Sequence, residues 1–195
     1  MQLIDKIRML KKMNKSFFTT DDLQKILKLK KDSLKKDLGR ITKKGLIKRL
    51  SRNIYILSEQ GIDIKKIASQ LYAPFAYISF ESALSTYGII NQVPYSVTMA
   101  TYKSSKIRPF FESEIIIRKI KKELFFGYKL EGEILIAEPE KALLDTLYMK
   151  SKGLAALNED ELNFGEVSKR KFLEMSVKFP AKVQKEARRI AKMMR

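Results

Sequence analysis

Apolar and polar positions alternate most legibly between Thr19 and Leu57. Leu23, Ile26 and Leu27 share one face of a short helix, and Thr19 followed three residues on by Asp22 is a capping-box start for it. Residues 29–31 turn the chain. A second helix is expected from Asp32, with Leu34, Leu38 and Ile41 at i, i+4 and i+7 and Gly45 as its C-cap. The runs LIKRL (46–50) and IYIL (54–57) are β-prone segments around a Ser-Arg-Asn tip, which reads as a hairpin. Helix, short turn, helix and hairpin in that order predict a winged helix-turn-helix. Residues 2–13, with Leu3, Ile4, Ile7 and Leu10 at helical spacing, supply an amphipathic helix to pack beneath it, and Phe17 and Phe18 lead into it as core.

Beyond the hairpin, residues 62–72 read as a helix burying Ile64, Ile67, Ala68 and Leu71, and Pro74 ends it. A boundary between residues 72 and 77 divides the chain into an N-terminal domain, 1–74, and a C-terminal domain, 75–195. In the second, residues 77–88 predict a helix with Ser79 at its N-cap and Gly88 as its stop. Residues 93–102, 115–120, 124–128 and 134–137 read as strands of a small, mostly antiparallel sheet, and 103–108 as a basic loop. Residues 138–149 form a helix with Pro139 at its start and acids in its first turn. Residues 158–161 are an acidic loop or cap, and helices follow over 166–179 and 181–194. The fold class is α+β: a winged helix-turn-helix, then an α/β domain with terminal helices.

Charge sharpens this picture. The chain has 40 Lys and Arg against 22 Asp and Glu; residues 1–57 hold 17 cations against 5 acids, and residues 58–195 hold 23 against 17. Most of the excess sits on the helix-turn-helix, which points to a polyanion, nucleic acid ahead of an acidic membrane. With no Cys and no His, disulfides, zinc sites of the usual kind and histidine-dependent triads are excluded. No run of 18 apolar residues and no signal-type apolar segment occurs, so a cytoplasmic protein is expected.

Opposite the apolar stripe, the second helix carries Asp32, Lys36, Gly39, Arg40 and Lys43, flanked by Ser33, Lys35 and Lys44, and the hairpin offers Lys48, Arg49, Arg52 and Asn53. A basic helix of this size fits a DNA major groove, and a basic hairpin suits phosphates or a minor groove. The candidate DNA contacts are therefore Ser33, Lys35, Lys36, Arg40, Lys43, Lys44, Lys48, Arg49, Arg52 and Asn53. The last helix sets Val183, Ala187, Ile190, Ala191 and Met194 against Lys182, Lys185, Arg188, Arg189, Lys192 and Arg195. Such a face suits clamping DNA, binding an acidic protein, touching a membrane, or plain solvation on a docked helix. Glu138-Pro139-Glu140-Lys141 is the nearest approach to a metal-nuclease pattern, but its spacing is wrong. No phosphate-cradling glycine loop occurs, so neither catalysis nor a cofactor is expected. RNA binding stays open, although the aromatics fall in apolar stripes rather than on a stacking platform.

The succession of this basic segment, YISFESALSTYGI (77–89), VPYSVTMAT (93–101), FFGY (125–128) and IAEPEKALLDTLY (136–148) resembles the AbiEi family, the antitoxins of type IV toxin–antitoxin and abortive-infection systems. The resemblance covers nearly the whole chain and is most specific over 77–90 and 136–148. It implies an N-terminal winged helix that binds inverted repeats of duplex DNA in its own promoter. It also implies a C-terminal domain that counters a nucleotidyltransferase-like toxin without a stable complex. Glu81, Glu138, Glu140, Lys141 and Asp145 look like family-type positions with structural duties. A relative standing alone would be a plain regulator.

Overall fold

Local capping signals account for where the first helix of the helix pair begins, at Thr19, and where the second ends, at Gly45. The structure is a computed structural model that describes residues 2–194; Arg195 lies outside the described residues. The chain forms two compact units, Met1–Ile67 with Pro109–Glu112, and Ala68–Arg108 with Ser113–Arg195. This division falls inside the helix Ile64–Tyr72, earlier than the cut at 74/75. From Ala68 onward that helix serves the second unit: the Ser69 hydroxyl accepts the Leu135 N–H at 2.7 Å.

The first unit contains α1 (Leu3–Lys12), β1 (Phe18–Thr19), α2 (Thr20–Leu27), α3 (Lys31–Lys43), β2 (Ile47–Ser51) and β3 (Ile54–Leu57). The capping box forms as expected: Asp22 N–H donates to the Thr19 hydroxyl at 3.0 Å, and Thr19 N–H donates to the Asp22 carboxylate at 2.9 Å. At the far end of α3, Gly45 takes φ +68 and donates to the Thr42 carbonyl while Leu46 donates to that of Ile41, a Schellman closure. Leu34, Leu38 and Ile41 of α3 join Leu10, Phe18, Leu23, Leu27, Ile47 and Leu57 in one core. The three strands pair antiparallel in the order β1-β3-β2, with Phe18 opposite Tyr55. The hairpin turns at Arg52 and Asn53, the latter at φ +67, a region that Asn tolerates better than most residues.

The second unit contains β4 (Ala76–Ile78), α5 (Phe80–Thr86), β5 (Val97–Thr101), most of β6 (Lys106–Phe110), β7 (Ser113–Lys119), β8 (Tyr128–Glu131), β9 (Ile134–Ala137), α6 (Pro139–Ser151), α7 (Lys169–Ser176) and α8 (Ala181–Ala191); α4 (Ile64–Tyr72) leads into it. Its sheet has six strands in the order β6-β7-β5-β4-β9-β8. It is mixed: β4–β5 and β8–β9 are antiparallel, β5–β7 and β4–β9 parallel. Residues 124–128 are not a strand. A 3-10 turn at Lys122–Leu124 and Gly127 at φ +67 break the run, and β8 starts only at Tyr128. The basic loop expected over 103–108 is partly strand, and Tyr77 and Ile78, ahead of the Ser79 N-cap, belong to β4. α6 is buried from Glu140 to Met149, so it fills the unit's interior instead of lying on its surface.

Burial pushes the Asp22 carboxyl up, but hydrogen bonds from Lys15 and from the Thr19 N–H and hydroxyl outweigh it and hold the group below the ordinary aspartate value. A depressed folded pKa stabilises the fold above the unfolded value of about 3.9 and stops doing so as pH falls through the folded one. Thr19→Ala should therefore lower stability by about 1 kcal/mol at neutral pH. Urea unfolding at pH 7 and pH 2.5 should find that difference shrinking in acid.

Candidate nucleic-acid interface

Burial of one side of α3 decides what the other side presents. Leu34, Leu38 and Ile41 are each no more than 6% exposed, and Asp37 is turned to the Lys6 ammonium of α1. All ten residues singled out for DNA contact are exposed: Ser33, Lys35, Lys36, Arg40, Lys43 and Lys44 along α3 and its cap, and Lys48, Arg49, Arg52 and Asn53 on the hairpin. Four of them line one groove. An open groove of about 760 Å³ runs between α3 and the hairpin and takes Lys35, Lys43, Arg49 and Asn53 into its walls. Ser33, Lys36, Arg40 and Lys44 lie on the next strip of the helix, and Lys48 and Arg52 also stand outside the groove.

The groove adds residues that sequence periodicity passed over. Lys31 sits one turn before Lys35 and Thr42 next to Lys43, both recoverable from helical spacing. Thr20 and Tyr55 enter through tertiary pairing, for which the sequence holds no local signal. Thr20 fixes the hairpin tip: its N–H donates to the Asn53 carbonyl at 3.1 Å and its hydroxyl to the Asn53 side-chain oxygen at 3.3 Å. Arg49 is steadied by a bond from Nε to the Ser51 carbonyl at 3.3 Å. The hairpin is thus held against the start of α2, which keeps Arg49 and Asn53 facing α3.

Charge is sorted across this unit. Asp22 engages Lys15, Asp37 engages Lys6 and Glu59 engages Lys11, all off the groove. Among the described residues, no ion pair neutralises Lys31, Lys35, Lys36, Arg40, Lys43, Lys44, Lys48, Arg49 or Arg52. Among the described residues lining the groove Asp32 is the one acid, and it occupies the first turn of α3, where the helix dipole favours it. Unpaired cations along a helix and a facing hairpin form a surface suited to a phosphate chain.

The chain matches no family model and no curated protein. In fold it is similar to the RV2827C protein from Mycobacterium tuberculosis: the TM-score is 0.68 at 13% identity, covering 95% of this chain and 74% of that one. At that identity the likeness establishes the fold.

The acids and lysine of α6 do not converge on solvent. Lys141 and Asp145 are fully buried and ion-paired, one turn apart. Lys141 Nζ also donates to the Tyr77 hydroxyl at 2.8 Å. Asp145 accepts from Tyr77 at 3.0 Å and from Ser79 at 2.8 Å. Ser79 stands at the N-cap of α5, as expected, yet its hydroxyl serves Asp145 rather than the helix. Burial pulls the Lys141 pKa down against the pull of Asp145, and burial drives the Tyr77 hydroxyl well up. Glu138 pairs with Lys171 at 2.9 Å, Glu140 accepts the Ser168 N–H at 2.9 Å, and Glu81 pairs with Arg118 at 2.8 Å. Tyr148 is 1% exposed and belongs to the core. No described helix is long and apolar enough to cross a membrane.

Lys141→Met, which strands a buried carboxylate, should cost about 3–5 kcal/mol. The double change Lys141→Met with Asp145→Leu should cost less than the sum of the two single changes. A double-mutant cycle by chemical denaturation measures that coupling.

Proposed function

We propose that the first unit is a winged helix-turn-helix that binds duplex DNA, with α3 as recognition helix and the β2–β3 hairpin as wing. The observation that carries this reading is the groove between them, walled by Lys31, Lys35, Lys43 and Arg49, whose charges no acid outside Asp32 offsets. The 13 residues of α3 extend about 20 Å, enough for one pass through a major groove. Side chains of α3 would read base edges, while Lys48 and Arg52 would add phosphate contacts that set affinity without choosing sequence.

By its resemblance to the AbiEi family, the protein would sit on inverted repeats, one molecule per half-site. There it would repress its own operon and counter a nucleotidyltransferase-like toxin without a stable complex. The toxin part of this proposal rests on the resemblance alone. Its test is rescue of growth when the protein is co-expressed in trans with a nucleotidyltransferase-like toxin; failure to rescue leaves a plain regulator.

Gel-shift titration of the duplex upstream of its own gene against a scrambled duplex tests the regulator itself. With about six phosphates neutralised, log K should fall against log salt with a slope of roughly −5. Equal binding to both duplexes at every salt concentration would sink the sequence-specific reading, and preference for single strands would favour RNA.

Lys35→Ala and Lys43→Ala, on the groove side of α3, should erode the preference for native over scrambled duplex. Lys48→Ala and Arg52→Ala should weaken both duplexes alike and make the salt slope shallower by about one each. Arg40→Ala reports the pose of α3, because Arg40 is exposed but lies off the groove. A loss of preference as large as that from Lys43→Ala would place its strip of the helix against the bases as well.

A further inference from the structure

A cavity in the second unit plays no part in the reading above. It is an open pocket of about 200 Å³ where the end of α4, the start of β4 and the end of β5 meet the loop into β6. Tyr72 and Phe75 supply aromatic walls, Ile117 an apolar floor, and Lys103 and Lys106 the charge; no carboxylate is among the described residues lining it. Lys103 and Lys106 form no ion pair among the described residues. Arg108 adds a third cation nearby, close enough to draw down the Tyr72 hydroxyl pKa that burial raises.

Phe75 is 45% exposed although its backbone is pinned on both sides. Its N–H donates to the Tyr72 carbonyl at 2.9 Å, and its carbonyl accepts the Thr101 hydroxyl at 2.6 Å. The same Thr101 oxygen accepts the Lys103 N–H at 3.2 Å, so one hydroxyl sets the ring and the lysine side by side. The Lys103 ammonium lies 3.2 Å from the centre of the Phe75 ring. A half-exposed ring on a hydrogen-bonded backbone, capped by a lysine that no ion pair holds among the described residues, is a stacking surface with a removable cover.

We infer that this pocket binds a nucleotide, its base stacked on Phe75 in place of the Lys103 ammonium and its phosphate held by Lys103 and Lys106. The exchange is favourable in kind, since an exposed cation over a ring is worth less than a base stacked on an aromatic side chain. The displaced ammonium gains a phosphate, a full charge in place of a ring face. The ring and the two lysines set the class of ligand, a flat π-face joined to an anion. A free nucleotide and a nucleotide within a single strand share this chemistry.

The test is isothermal titration of the full chain carrying Lys31→Ala, Lys35→Ala, Lys43→Ala and Arg49→Ala, which removes the cations walling the groove of the first unit, so that the reading of that groove stands or falls separately in the gel shift. The probes are AMP, ribose 5-phosphate, adenosine and a six-residue oligo(dA). AMP should bind more tightly than ribose 5-phosphate or adenosine. Phe75→Ala should weaken AMP by about tenfold or more, and Phe75→Tyr should preserve it. Lys103→Ala with Lys106→Ala should bring AMP down to the level of adenosine. Phe75-dependent binding that is tighter for the oligonucleotide than for AMP identifies the strand as the source, and the reverse order identifies free nucleotide. Absence of AMP binding, equal binding of AMP and ribose 5-phosphate, or indifference to Phe75→Ala would each overturn the inference.

Discussion

The rotation of α3 about its own axis is the constraint on which the candidate interface depends. Leu34, Leu38 and Ile41 lie in the core of the first unit, and each fully buried aliphatic side chain contributes about 1.5–3 kcal/mol. Turning the helix by one residue's angle would bring these chains to the surface and bury Lys35 or Arg40 without a partner. Desolvation would add to the loss. A surface ion pair contributes about 1 kcal/mol at most, so charge has little say in how α3 sits. Its cations face outward because its leucines face inward.

The second unit solves a different problem. α6 is buried around most of its circumference while carrying Glu140, Lys141 and Asp145, so its polar side chains must find partners inside the protein. Lys141 and Asp145 answer each other across one helical turn, and Tyr77 and Ser79 from β4 and its end take up remaining bonding capacity. That arrangement ties the central helix to a central strand of the sheet at a defined register, which apolar contacts alone would specify less sharply. The lysine stem lies against Gly127, where a Cβ would stand 3.2 Å from it, and this explains a glycine in an aromatic stretch.

Helices were legible from the sequence because their signals are local. The Thr19–Asp22 box, the i, i+4, i+7 stripe of α3 and the Gly45 closure each lie within a few residues of the bond they form. Strands were harder where they exist only through their partners. β1 is two residues long and is a strand because Phe18 and Thr19 pair with Tyr55 and Ile54. β4 is three residues lodged between β5 and β9, and neither its parallel partner nor its burial leaves a periodic trace. The run 124–128 looked like a strand by composition, yet Phe125 is engaged sideways with Tyr77, Tyr102 and Tyr128.

The candidate interface divides along the same line. Exposure of the ten residues followed from helical periodicity and hairpin pattern, which are properties of a single element. Which of them face one another depends on Thr20 holding the Asn53 tip, a contact across 33 positions of sequence. That contact separates Lys35 and Lys43, which share a groove with Arg49, from Arg40 and Lys36, which do not. A phosphate chain lying in the groove meets cations from two elements at once. One lying along the outer strip of α3 meets a single helix that must supply every contact itself. Joint engagement costs less ordering per contact, because the hairpin is already fixed in place, and of the two surfaces the groove is therefore the better suited to the duplex proposed above.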